Sequence, residues 1–325
     1  MVGVALDGMI PLPAMLDLVR LAERLGVSDV WMAEHLGYRD GLTTSMAILS
    51  ATTTVVVAPT AISVFTRHPM ITAMSAATLE ELAPGRTVLV LATGNPRALG
   101  ELGVQIARPV TVMREYATVV RRLWRDESTT FAGDVFQVRD TTFHVSLASP
   151  PPLWIAAMGP HMLRLAGEIA DGVVLSGALS PAYIRHSLRF VQEGAVRAGR
   201  ETKAIGTAGF VITSVSRDGA AARRQAKQML AYLFRNRFVA ENLAMEGSRV
   251  DRGAVADAAA RGDWETAFAG IPDNEVTTYA VAGTPSECRR QLDAFRDAGL
   301  DRPVLLAIGD SESRRLAVEL AGAAR

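Results

Sequence analysis

A chain of 325 residues, 49% of them hydrophobic, carries enough apolar surface to bury a large core. Its 34 Lys+Arg balance its 34 Asp+Glu, so no net field draws it to nucleic acid or to an anionic membrane. The single cysteine, Cys288, excludes an internal disulfide and any multi-cysteine metal site. No charged segment followed by an apolar run and a cleavage site opens the chain. The most apolar stretch, Val55 to Phe65, is too short to span a bilayer and is interrupted by Pro59. The expectation is a cytoplasmic enzyme acting on a small molecule.

Short β-rich runs alternate with helical patterns from end to end. Strands are predicted at residues 2–6, 28–33, 54–61, 86–92, 152–157, 172–176, 205–214 and 303–308. Helical patterns lie at about 12–25, 43–51, 69–82, 109–125, 160–169, 180–199, 218–245, 284–298 and 311–322. Val88-Leu89-Val90-Leu91 and Val304-Leu305-Leu306 are almost continuously apolar, the mark of parallel strands covered on both faces. Eight strand–helix units fit one closed α/β barrel, a (β/α)8 domain over residues 1–325. Insertions interrupt it at about 126–151 and 234–275. Residues 129–138 read as a β-hairpin around Gly133-Asp134. The longer, more charged 234–275 segment follows the seventh strand, on the face where a substrate would be covered.

Active sites of such barrels sit at the C-terminal strand ends. Here those ends carry Asp7, Glu34-His35, Thr60 to Ser63, Thr93-Gly94-Asn95, Met158-Gly159 and Ser176-Gly177. The stretch AAMGPHMLRLAGEIADG, residues 156–172, runs from a strand end through Gly159-Pro160 into an amphipathic helix. Gly159 permits close approach of a ligand, and Pro160 suits the first helical position. The N–H groups behind it form a phosphate seat, unless the segment is only a tight βα turn. His161 stands next to this turn. Gly94 likewise permits close approach, and Asn95 offers amide hydrogen bonds. Asp7 is either an acid whose pKa burial would raise, or a cap where the first helix begins at Pro11-Leu12-Pro13. Arg67 either makes a structural ion pair or reaches the cofactor. Glu80-Glu81 read as solvated, His144 and His186 as peripheral, and Cys288 as a packing residue. No His/Asp/Glu spacing suggests a metal, and neither GxGxxG nor GxxxxGK[ST] occurs, which removes the nicotinamide and P-loop readings.

Four ordered segments resemble the luciferase-like monooxygenase superfamily, in its branch of deazaflavin-dependent reductases similar to methylenetetrahydromethanopterin reductase. They are SDVWMAEH (28–35), TRHPMITAMSAATLEELAPG (66–85), the 156–172 stretch, and YAVAGTPSECRRQLDAFRDAGLDRPVLL (279–306). The resemblance implies a homodimeric barrel that binds coenzyme F420 and moves a hydride between it and a small organic C=N or C=C substrate. An FMN-dependent monooxygenase, or a barrel binding flavin or deazaflavin without turnover, is the alternative. By resemblance, Glu34-His35 lie beside the ring, where the family usually carries Asp-His. His35, whose ordinary pKa is near neutral, is then the first candidate for the proton that accompanies hydride transfer, with Asp7 and Glu34 after it. Thr60-Ala61-Ile62-Ser63 matches the family's bulge behind the ring, with a non-proline cis peptide at Thr60-Ala61. The family more often has Gly before that bond and Pro in place of Val64. Met158, Gly159, Pro160, His161 and Ser176 complete the expected cofactor contacts.

Overall fold

The apolar runs become parallel strands in the computed structural model, which describes residues 1–234 and 237–324. The strands are β1 (Gly3–Asp7), β2 (Asp29–Ala33), β3 (Val56–Thr60), β4 (Ile62–Ser63), β5 (Leu89–Ala92), β6 (Thr129–Ala132), β7 (Gln137–Thr141), β8 (Leu153–Ala156), β9 (Gly172–Leu175), β10 (Gly206–Val215), β11 (Ala280–Gly283) and β12 (Arg302–Ala307). Hydrogen bonding follows the order β3-β2-β1-β12-β10-β9-β8-β5-β4. Because β3 and β4 are two halves of one run, the path starts and ends on the same stretch of chain. A further bridge between Val57 and Thr87 ties β3 to the approach of β5. The result is the expected barrel of parallel strands wrapped by helices. β11, which the sequence reading lacked, pairs in parallel with β10 outside the ring.

Alternation along each strand divides the side chains between two cores. Val4, Leu6, Val30, Met32, Leu89, Leu91 and Ile155 point outward into the helical layer. Ala5, Trp31, Ala58, Val90, Trp154, Val174, Ala208 and Val304 pack inside the barrel. There Trp31 meets Trp154 edge-on at 5.6 Å and Phe210 at 6.2 Å, so three aromatic rings fill the lower half. A Cβ on Gly172 would lie 2.2 Å from Trp154, and one on Gly206 2.6 Å from it; glycine is required at both because the ring occupies the space. Asp29, almost fully buried, accepts from Trp31 Nε1 and Ser28 Oγ. Arg302 lies 3.7 Å from Asp29 and stacks over Trp154.

The helical segments show several departures from expectation. The predicted 218–245 helix is divided into Gly219–Leu233 and Arg237–Met245, with positions 235 and 236 outside the described residues. The rest of the 234–275 segment folds into Arg252–Ala260 and Trp264–Ala269, capped by Asp251 and Asp263, and Asp273–Tyr279 follows. Their apolar residues Val239, Leu243, Val255, Ile271 and Val276 form a second core with Ile212 and Ile308 of the barrel. Glu80 is buried rather than solvated: it accepts from the Gly85 N–H, and burial raises its carboxyl. Cys288 is buried, its thiol pushed up to about 12 by burial. Among the described residues no helix is long and apolar enough to cross a membrane, and no cluster of three metal-ligating side chains occurs.

The β6–β7 hairpin falls where Gly133-Asp134 indicated. Glu115, on helix Pro109–Arg125, holds it by accepting from the N–H groups of Asp134, Val135 and Phe136 at 2.8, 2.9 and 3.0 Å. Burial alone would raise this carboxyl, but the three donors outweigh it and lower the pKa below 4.5. A depressed folded pKa means the stabilisation is present above pH 4.5 and is lost as pH falls through the folded value. Glu115→Gln, which leaves at least one hairpin donor unpaired, is expected to cost about 1–3 kcal/mol at pH 7. Thermal melts should show the gap between variant and wild type closing below pH 4.5; a gap independent of pH would refute the role assigned to this carboxylate.

Candidate active site at the barrel mouth

Above the aromatic layer the interior positions turn small. Residues two beyond Trp31, Val90, Trp154 and Val174 are Ala33, Ala92, Ala156 and Ser176, and each shares its neighbour's inward face. Ala61 joins them at the end of β3. The barrel interior is therefore filled by aromatic rings below and lined largely by small side chains towards the mouth. The Thr60-Ala61 peptide bond is cis, at the register expected.

Glu34 follows Val30 and Met32 in parity and so turns outward, away from the barrel interior. Both its oxygens are engaged. Arg67 grips them at 2.8 and 3.0 Å in a two-pronged pair, and the Gly41 N–H donates to Oε2 at 2.8 Å. The Glu34 side chain is only 6% exposed. Arg67 also pairs with Asp40, which caps helix Gly41–Ala51 through the Thr43 N–H. Burial would lower the Arg67 pKa, but hydrogen bonds and charge from Glu34 and Asp40 raise it. Asp40 is lowered: burial opposes ionisation, while the Thr43 bonds and Arg67 favour it more. The Glu34 N–H donates to the Thr60 carbonyl at 2.8 Å, so this network also fixes the cis turn.

The other predicted residues are distributed around the rim. His35 is exposed just past the end of β2, and its ring has no partner among the described residues. Asp7 is half-buried, and its Oδ1 accepts from the Met9 N–H at 3.0 Å. It does not cap the first helix, whose N-cap is Pro11 without a side-chain bond; the 7–10 turn uses the carboxylate first. The Thr60 hydroxyl donates to the Ala58 carbonyl. Ser63 Oγ donates to the Thr93 carbonyl and accepts from Phe65 N–H. Gly94 adopts φ 89°, and a Cβ there would crowd Ser63 and Leu99 at 3.0 Å. Asn95 Oδ1 caps Pro96–Glu101, a short helix absent from the sequence reading, so only its amide N–H groups remain for a ligand.

Gly159 is the N-cap of helix Pro160–Ile169, which has no side-chain cap and Pro160 at its start. Its first N–H groups are therefore available to an anion, and His161 is exposed beside them. The preceding Met158 carbonyl accepts from Tyr183 Oη at 2.8 Å. Tyr183 N–H in turn donates to Ser180 Oγ, which donates to Asn242 Oδ1 at 2.7 Å, and Asn242 Nδ2 donates to the Ala178 carbonyl. The fully buried Asn242 thus ties helix Arg237–Met245 to the loop after β9. Asp40, Tyr183 and Asn242 were not identified from sequence. Asp40 preceding a helix is a readable cap signal, whereas the Tyr183 and Asn242 partners are too distant in sequence for any local pattern.

Comparison with known proteins gives a consistent family. The model described as luciferase-like monooxygenase matches residues 2–302. A 5,10-methylenetetrahydromethanopterin reductase of Methanolobus tindarius is 28% identical over 289 residues, covering 88% of this chain and 87% of its own. An F420-dependent glucose-6-phosphate dehydrogenase of Intrasporangium calvum is 28% identical over 312 residues, 91% and 89% of the two chains. The solved structure of a coenzyme F420 dependent tetrahydromethanopterin reductase from Methanopyrus kandleri superposes with a TM-score of 0.90 at 23% identity, over 99% and 96%.

Removing one partner from a buried ion pair strands the other charge. Arg67→Ala is expected to lower unfolding free energy by about 3–5 kcal/mol. Adding Glu34→Gln to it should recover part of that loss. Strict additivity of the two single variants in a denaturant cycle would show that the pair is not coupled.

Proposed function

The chain belongs to the luciferase-like monooxygenase family, and from that premise we propose that it is an oxidoreductase using coenzyme F420 to move a hydride to or from a small organic C=N or C=C substrate. The observation that carries this reading is the set of small inward side chains above Trp31 and Trp154, next to an uncapped helix start. Ala33, Ala61, Ala92 and Ala156 present only methyl groups where a planar ring would lie. The N–H groups after Gly159 and the His161 ring suit the phosphodiester. Ser176, Gly94, Asn95, Thr60 and Ser63 lie at the same C-terminal strand ends. The F420-dependent names among the relatives point to the same cofactor. When bound, coenzyme F420 supplies a hydride-carrying carbon where a flavin has its oxygen-reactive nitrogen.

The chain's own residues then divide the work. His35, exposed and unpartnered at the rim, handles the proton. Asp7, with one oxygen committed to a turn, is the reserve acid. Glu34 acts through Arg67 and the Thr60 carbonyl, holding the ring's platform rather than meeting the ring. The helices of the 237–279 segment cover the substrate on the β10–β12 side. The barrel and this cover operate as one cytoplasmic domain.

The test has two steps. Apo protein is titrated with reduced and oxidised deazaflavin and with FMN. At least tenfold tighter deazaflavin binding is expected, and tighter FMN binding with oxygen-dependent turnover would replace this reading by a monooxygenase. With cofactor saturating, His35→Ala should lower turnover by roughly a hundredfold. His35→Gln keeps a hydrogen bond but cannot titrate; wild-type turnover in that variant would move the proton to Asp7.

A homodimer accompanies this proposal. Ile71, Met74 and Leu82 are 51%, 48% and 47% exposed on helix Pro69–Leu82, at spacings that share one face. A second copy of the chain is the occupant that this apolar stripe suits. Light scattering should report two chains, falling to one in Ile71→Glu/Met74→Glu. A wild-type mass of one chain would end this part of the proposal.

A further inference from the structure

At the end of the barrel opposite the mouth, a hollow of ≈ 620 Å³ lies between helices Pro109–Arg125 and Pro160–Ile169. Arg125 is the last residue of the first helix, and Asp171 immediately precedes β9, so the hollow sits by the N-terminal strand ends. On the second helix it starts at Glu168, eight residues past Pro160 and about 12 Å along the axis from the Gly159 turn. Four arginines line it: Arg121, Arg122 and Arg125 from the first helix, and Arg200 from the segment after helix Pro181–Arg197.

The charges of this lining are unevenly compensated. Arg121 donates to Asp171 at 2.8 Å and to the Ile169 carbonyl. The same carboxylate accepts the Leu153 N–H at 2.8 Å, and Glu168 is paired with Arg114. Among the described residues, Arg122 donates only to the Thr130 carbonyl, at 3.0 Å, and lies 5.4 Å over the Phe131 ring. Arg200 donates only to the Gly167 carbonyl, at 2.8 Å. The exposed side chains of Arg125 and Asp126 have no partner among the described residues. Three guanidinium groups therefore lack a carboxylate, against one carboxylate that lacks a cation. The bonds from Arg121 and Arg200 to the last-turn carbonyls offset the negative end of helix Pro160–Ile169.

We propose that this hollow binds an oligophosphate, either free or as the phosphate chain of a nucleotide. Small-molecule sites span about 300–1,000 Å³, and the hollow falls within that range. A carboxylate holds two oxygens in one plane and is satisfied by a single guanidinium fork, whereas a phosphate chain presents oxygens in many directions. Forks held against separate elements, as those of Arg121, Arg122 and Arg200 are, suit the second kind of ligand. Because these three are already pinned, little side-chain freedom is lost on binding, and the exposed Arg125 is left to close over the ligand. The inference does not rest on the cofactor reading, whose phosphodiester seat is at the other end of helix Pro160–Ile169.

Calorimetric titration of the full chain at low salt with inorganic tripolyphosphate, adenosine triphosphate and citrate tests this. Tripolyphosphate is expected to bind at least tenfold tighter than citrate and to weaken as salt rises. Adenosine triphosphate matching it would assign recognition to the phosphate chain alone; a tighter nucleotide would place the nucleoside in the hollow as well. Arg125→Glu, which has no native partner to lose, should weaken tripolyphosphate at least tenfold. Arg122→Lys keeps the charge but not the fork, and should weaken it less. Arg197→Glu, at an exposed arginine outside the hollow, changes the net charge equally and should leave binding unchanged. No binding, equal affinity for citrate, or equal losses in the Arg125 and Arg197 variants overturns the inference. Displacement of tripolyphosphate by coenzyme F420 also overturns it, by merging the hollow with the cofactor site.

Discussion

Three aromatic rings in the lower half of the barrel set the terms for everything above them. Trp31, Trp154 and Phe210 take up space that eight strands would otherwise share evenly, and the strands answer with Gly172 and Gly206 beside Trp154. Interiors are close-packed, so large residues in one layer oblige small ones next to them. The layer above is correspondingly built from Ala33, Ala61, Ala92 and Ala156. Small side chains at the C-terminal strand ends are thus a packing consequence, in place before any ligand contributes.

Electrostatics secures the rim of the barrel mouth. A carboxylate almost removed from water is tolerable only when both oxygens are satisfied. Glu34 meets that condition with Arg67 and the Gly41 N–H, and Arg67 meets its own with Asp40. One ionic network joins the ends of β2 and β3 to the starts of helices Gly41–Ala51 and Pro69–Leu82. In this arrangement both Glu34 oxygens are committed to Arg67 and the Gly41 N–H.

Much of the barrel was legible because its strands announce themselves chemically. Val88 to Leu91 is apolar throughout, as a strand covered on both faces must be, and Gly133-Asp134 marks the hairpin by its turn chemistry. The cis bond at Thr60-Ala61 was readable only through the family resemblance. β11 escaped notice because Ala280–Gly283 is four small residues with no β-branched pattern beyond Val281. Pro96–Glu101 escaped because six residues give too few turns for a period. The side-chain networks were the least visible. Glu34 and Arg67 are 33 positions apart, Ser180 and Asn242 are 62 apart, and no periodicity connects such pairs. The burial of Glu80 failed for the opposite reason: a Glu-Glu pair looks solvated until the Gly85 N–H folds back onto one of them.

The buried amide of Asn242 has a mechanical consequence. It stands between the Arg237–Met245 helix and the loop after β9, and that loop reaches Met158 through Tyr183. Lifting the helix would expose or orphan an amide with bonds on both sides, and would pull on the carbonyl next to Gly159. The Arg237–Met245 helix and the strand end before Gly159 are therefore linked by one chain of hydrogen bonds. On the opposite flank, Met9 and Tyr38 are 50% and 58% exposed, and the loop beneath them is pinned by the Arg39 bond to the Gly8 carbonyl. The two sides of the barrel mouth are therefore held unequally: a chain of side-chain hydrogen bonds ties one, and a single Arg39 bond beneath exposed side chains closes the other.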